Sequence, residues 1–126
     1  MLLWAAAEAL ASRLAQEPAL VVGKRVLELG AGVGFVGLVA AHLGAVQVVQ
    51  TDYHPDCLAL CRSNATRNGI TNCTVRTGDW RDWPEELTGF DLVIGADILY
   101  ERRLHATIAA LLPTLGEKIQ IGRAHV

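Results

Sequence analysis

No stretch of this sequence stays apolar long enough to cross a bilayer. A membrane helix needs roughly 18 or more apolar residues in a row. The greasiest segment, Val36 to Val49, is broken by Gly37, His42, Gly44 and Gln47. Basic excess is missing too. The formal net charge is −2, which offers no field to a nucleic-acid backbone, so neither a membrane nor a nucleic acid is an expected partner. Met1-Leu-Leu-Trp-Ala-Ala-Ala7 carries no Lys or Arg ahead of its apolar run and is cut short by Glu8, which does not fit a secretory leader. Cysteine is scarce and odd in number (Cys57, Cys61 and Cys73), which points to reduced thiols and a cytoplasmic setting. Cys57 and Cys61 stand four apart on an expected helix and read as small buried hydrophobes. A metal site would need further ligands nearby, and His42, His54, His105 and His125 are scattered.

What is present is apolar residues at 52% against charged residues at 19% in a chain of 126. That is a globular composition and a length that makes one domain, residues 1–126, the expectation. Leu3, Ala7, Leu10 and Leu14 share a helical face, and Pro18 closes that first segment. Lys24 to Leu29 reads as a strand running into Gly30-Ala-Gly-Val-Gly34, and Phe35 to Leu43 as a helix stopped by Gly44. Gln47 to Thr51 is a second strand, rich in valine. Pro55 and Asp56 open a third helix that ends near Asn68-Gly69.

Cys73 to Thr77 is a third strand, and Phe90 to Ala96 is a fourth whose apolar centre suits a sheet covered on both faces. A helix from about Leu104 to Leu112 follows, ended by Pro113. Strands alternating with helices predict right-handed crossovers and a parallel sheet. The fold class is therefore α/β, a Rossmann-like doubly wound sheet, with four strands legible and at most a stub of a fifth.

A strand, a glycine turn and a helix make a ready nucleotide site, because glycine admits a ligand close to the backbone and a helix start presents free N–H groups. Taken alone the motif is ambiguous. Gly32-Val-Gly34-Phe-Val-Gly37 satisfies the dinucleotide spelling, with Asp52 about 20 residues on, so dinucleotides and S-adenosylmethionine both fit. Three of the four following features favour the second, and one fits both. Glu28 lies near the strand's end, with one residue between it and the glycines, where a carboxylate suits an ammonium better than a pyrophosphate. Asp52 ends the second strand, placed for a ribose diol, which fits either ligand. Asp79-Trp80 follows the third strand, where an acid can accept from an adenine amino group. Ala96-Asp-Ile-Leu-Tyr100 leaves the fourth strand at the carboxyl edge, where open α/β sheets keep their chemistry.

At these residues the chain resembles the class I, seven-strand, S-adenosylmethionine-dependent methyltransferases, and within them the branch of D-x-x-Y protein methyltransferases, many of which modify lysine. Val26 to Gly34 looks like that family's first motif, with Gly30, Gly32 and Gly34 as its glycines. Thr51-Asp52 looks like its ribose-binding acid, Gly78-Asp-Trp80 like its adenine-side motif, and Asp97-Ile-Leu-Tyr100 like its signature. Trp4 on the leading helix resembles the branch's tryptophan element, although core packing is the plainer reading of that residue.

The resemblance implies S-adenosyl-L-methionine as cofactor, with Trp4, Glu28, Gly30, Gly32, Gly34, Asp52, Asp79, Trp80 and Ala96 around it. It implies an amine acceptor, first a lysine side chain on a protein and next a small-molecule amine, oriented by Asp97 and Tyr100. Asp97 also stands out on physical grounds, since a carboxylate at the mouth of an apolar strand has a desolvation cost unless something uses it. Trp80 and Trp83 could equally cover the sheet end. A dinucleotide oxidoreductase finds no Tyr-x-x-x-Lys pair here, and a non-catalytic module is the third reading.

A seven-strand enzyme would continue well past Leu115. Ile121-Gly-Arg-Ala-His-Val126 matches the translation of a common sequencing-adapter string. The expectation is a truncated chain with a non-native tail at 121–126, its fourth strand left near an open edge, and a monomer when complete.

Overall fold

The computed structural model describes residues 2–96 and 105–122, with side chains from 5 and from 106 onward in the two stretches. Helix α1 (Leu2–Gln16) leads through a short 3₁₀ turn (Pro18–Leu20) to strand β1 (Arg25–Leu29). There follow α2 (Phe35–His42), β2 (Gln47–Asp52), α3 (Pro55–Arg67), β3 (Cys73–Thr77), β4 (Phe90–Ala96), α4 (His105–Leu115) and β5 (Gly116–Gly122). The strands form one sheet in the order β3-β2-β1-β4-β5, every neighbouring pair parallel. The alternating pattern of strand and helix dictates this, since parallel neighbours require a crossover over one sheet face.

Alternation along each strand divides the core. Val26, Val48, Leu92 and Ile94 face α1 and α2, packing against Leu10, Leu14, Val36 and Ala40. Leu27, Leu29, Val49 and Val93 face the other way, onto Ile108 and Leu115 of α4 and onto Leu87. Trp80 and Trp83 pack against this second cluster, so the loop after β3 covers part of that sheet face.

Two expectations need correction. The sheet has five strands where four and a stub were expected, and β4 is internal. Phe90 to Ala96 pairs with β1 on one side and with Gly116 to Gly122 on the other. Ile121 and Gly122 belong to that fifth strand, opposite Gly95 and Ala96. The short alternating run Lys118-Ile-Gln-Ile121 hid a strand because only two of its residues are apolar, and β4 supplies the missing hydrogen-bonding partner. The last helix also runs through Pro113 to Leu115. Proline removes one donor in the final turn, but Pro113 is exposed and the fully buried Leu115 anchors the turn to the core.

Candidate functional site

In a parallel sheet all carboxyl ends lie at one edge, and a crevice opens where the strand order reverses. Here that point lies between β1 and β4. The glycine turn leaves β1 beside it. Gly30, Gly32 and Gly34 adopt φ of 58°, 60° and 85°, a region that costs other residues about 1–2 kcal/mol each. Nothing lies within 4 Å of a Cβ built on Gly32, so the turn keeps an open side there.

Asp52, at the end of β2, reaches across to this turn. Its Oδ2 accepts from the Gly32 N–H at 3.1 Å and its Oδ1 from the His54 N–H at 3.0 Å. The residue is 9% exposed, and each carboxylate oxygen accepts from one amide, which leaves lone pairs to spare. The Ala31 N–H donates to Thr51 O and the Gly34 N–H to Ala31 O. Three amides of the turn are therefore committed within the fold and do not converge on an anion as a pyrophosphate cradle would.

Beneath the turn sits a buried polar pair. Glu28 and Gln50 are register partners on β1 and β2, and Gln50 Nε2 donates both to Glu28 Oε1 at 2.8 Å and to Gly34 O at 2.9 Å. Burial pushes the Glu28 carboxyl up to about 7, against weaker opposing effects of the Gln50 and Gly37 hydrogen bonds. Gln50 Oε1 is buried without a partner. Gly37 lies directly above: a Cβ there would overlap Glu28 Oε1 and stand 2.5 Å from Gln50 Nε2. Its place in the dinucleotide spelling thus has another cause, the close approach of α2 to this pair.

On the adenine-side loop, Gly78 docks by its N–H onto Asp52 O at 3.1 Å. Asp79 bends back on Arg81, accepting from its N–H at 2.9 Å and from its guanidinium at 3.2 Å and 3.3 Å. Those bonds hold its carboxyl below the usual range. Trp80 is half-buried on the sheet, and Trp83 Nε1 donates to Leu87 O at 2.7 Å.

Among the residues expected at the site, Glu28, Gly30, Gly32, Gly34 and Asp52 come together around one turn. Asp79 and Trp80 follow at the end of β3, and Ala96 closes β4, opposite Gly122. Asp97, Tyr100 and the side chain of Trp4 lie outside the described residues. Gln50, Thr51, Cys61 and Asn64 also support the turn, a role not legible in the sequence. Only Gln50 left a trace, as a polar residue inside a valine-rich strand. Thr51 Oγ1 donates to Glu28 O at 2.6 Å. Among the described residues no cluster of three or more His, Cys, Asp or Glu could hold a metal ion, and no helix is long and apolar enough to cross a membrane.

A parallel sheet of this order, with a glycine turn at its switch point and an acid on the neighbouring strand end, defines a Rossmann-like fold with a site for a nucleoside-containing ligand. A family model described as lysine methyltransferase matches residues 1–121, and the chain belongs to that family. Protein N-lysine methyltransferase METTL21A of Xenopus tropicalis is 37% identical over 113 residues, covering 88% of this chain and 51% of that protein. Histone-arginine methyltransferase METTL23 of Xenopus laevis is 33% identical over 105 residues, covering 80% and 45%. The chain spans about half the length of the curated relatives it matches. Among solved structures, the Trypanosoma brucei PRMT1 enzyme-prozyme complex with AdoHcy superposes with a TM-score of 0.74 at 23% identity, over 88% of this chain and 36% of that one, a likeness of fold.

Proposed function

We propose that this chain is the cofactor-binding part of a protein methyltransferase that transfers a methyl group from S-adenosylmethionine to a lysine side chain. The observation that carries it is the match of residues 1–121 to a lysine-methyltransferase family model; Asp52, fixed against Gly32 and His54, would take a ribose diol. Glu28 is the acid nearest the strand end for an ammonium group, and the open side of Gly32 admits a ligand against the backbone. The cofactor, when bound, supplies a methyl group already activated on a sulfonium. The protein then has to align the acceptor and exclude water.

Asp97 and Tyr100 follow directly on β4 and would orient the acceptor amine by hydrogen bonds. Trp4, Asp79, Trp80 and Ala96 complete the cofactor's surroundings in this reading. We further propose a cytoplasmic setting, where its cysteines stay reduced, a single domain and a monomeric state.

Isothermal titration with S-adenosylhomocysteine tests the cofactor: saturable binding is expected, abolished in Gly32→Arg, and binding of NADH in its place would overturn it. Mass spectrometry of a lysate incubated with full-length enzyme and labelled cofactor tests the acceptor. Label on lysine is expected; label on arginine or on small molecules alone would overturn the lysine assignment.

A further inference from the structure

The three peptide carbonyls that carry the glycine turn from Gly32 to Gly34 are each held by a side chain. Cys61 Sγ–H donates to Gly32 O at 3.3 Å, Asn64 Nδ2 to Val33 O at 2.8 Å, and Gln50 Nε2 to Gly34 O at 2.9 Å. Two of the donors lie one turn apart on α3 and the third lies on β2. In a trans peptide the N–H points opposite to the carbonyl, so drawing these oxygens toward α3 and β2 aims the following amides the other way.

A glycine-rich segment has little conformational preference of its own and loses more entropy on ordering than any other. Its shape must come from outside. Gln50 holds its bond while leaving its own Oε1 buried and unmatched, a cost of about 1–3 kcal/mol that an apolar residue in the core would avoid.

We propose that Asn64, with Cys61 and Gln50, forms a carbonyl clamp that presets the glycine turn for an S-adenosyl cofactor, Asn64 being a positioning residue. This rests on the cofactor reading above. Asn64 is the informative member because it is only half-buried, whereas Cys61 and Gln50 are fully enclosed. Its role is to shape the turn before the ligand arrives, so that binding does not also have to order glycines.

The test compares the 126-residue chain with Asn64→Ala and Asn64→Asp. Both variants should melt close to the parent. At neutral pH both should bind S-adenosylhomocysteine about tenfold more weakly, a loss of one hydrogen bond's order. As pH falls, the carboxyl introduced by Asn64→Asp gains a donor proton, and the affinity of that variant relative to the parent should recover. That of Asn64→Ala should not. Without any cofactor, hydrogen exchange of the Val33 and Gly34 amides should quicken in Asn64→Ala, with the middle of α3 unchanged. Parental affinity and parental exchange in both variants would overturn the clamp. Absence of binding by the parent chain would overturn the cofactor reading instead, and the exchange measurement then decides the clamp by itself.

Discussion

Gln50 donates to Glu28 across adjacent strands at 2.8 Å, in a place where Gln50 is 0% and Glu28 2% exposed. Two polar side chains thus face each other under the glycine turn, on the sheet face that otherwise carries valine and leucine. Because burial raises the Glu28 carboxyl from 4.5 to about 7, the folded chain holds its proton more tightly than the unfolded one. Stability from this group is complete below pH 4.5 and is lost as pH rises to about 7, by up to about 3 kcal/mol. Urea unfolding across that window should show the slope, and Glu28→Gln should flatten it.

If the bound cofactor's ammonium lies at Glu28, the carboxyl must ionise on binding. Below about pH 7, titration of S-adenosylhomocysteine should then release protons, read as a binding enthalpy that changes with the ionisation enthalpy of the buffer. An enthalpy independent of buffer at about pH 6 would place the ammonium elsewhere.

Gly37→Ala should destabilise the chain by about 1–3 kcal/mol, the range for overfilling a packed site. The added methyl would displace Glu28 or Gln50 from their bond. The double variant with Gln50→Ala should recover part of the loss, and thermal melts of the single and double variants give the comparison.

Gly32→Ala separates fold from ligand. The methyl meets no neighbour, so the cost to stability is the positive φ alone, about 1–2 kcal/mol. Affinity for S-adenosylhomocysteine should fall by more than tenfold, because the methyl projects into the open side of the turn. A melting temperature moderately lowered with affinity intact would contradict this.

The Cys61 thiol is pushed up to about 12, first by burial and then by the Glu28 and Asp52 carboxylates. A thiol reacts as its thiolate, so iodoacetamide at neutral pH should leave Cys61 unlabelled in the native chain and label it in urea. Peptide mass spectrometry reads both states, and native labelling at Cys61 would show that α3 opens.

The order of elements was legible from the sequence by itself, because hydrophobic periodicity and glycine or proline punctuation are local signals. Strands β3 and β4 fall at the residues expected for them. So were the five residues around the glycine turn, since a turn with positive φ requires glycine wherever it occurs and the acids sit at strand ends. Strand β5 was not legible. Only its pairing with β4 makes Gly116 to Gly122 extended, and pairing is a property of two segments.

The supports of the turn were equally hidden. Cys61 and Asn64 lie 29 and 31 residues from the carbonyls they hold, and Gln50 lies 22 from Glu28. Those bonds exist because the crossover lays α3 beside the turn and places β2 against β1. Local chemistry decided which residues could make the site. The tertiary arrangement decided how that site is held, because a glycine segment takes its shape from the groups packed around it.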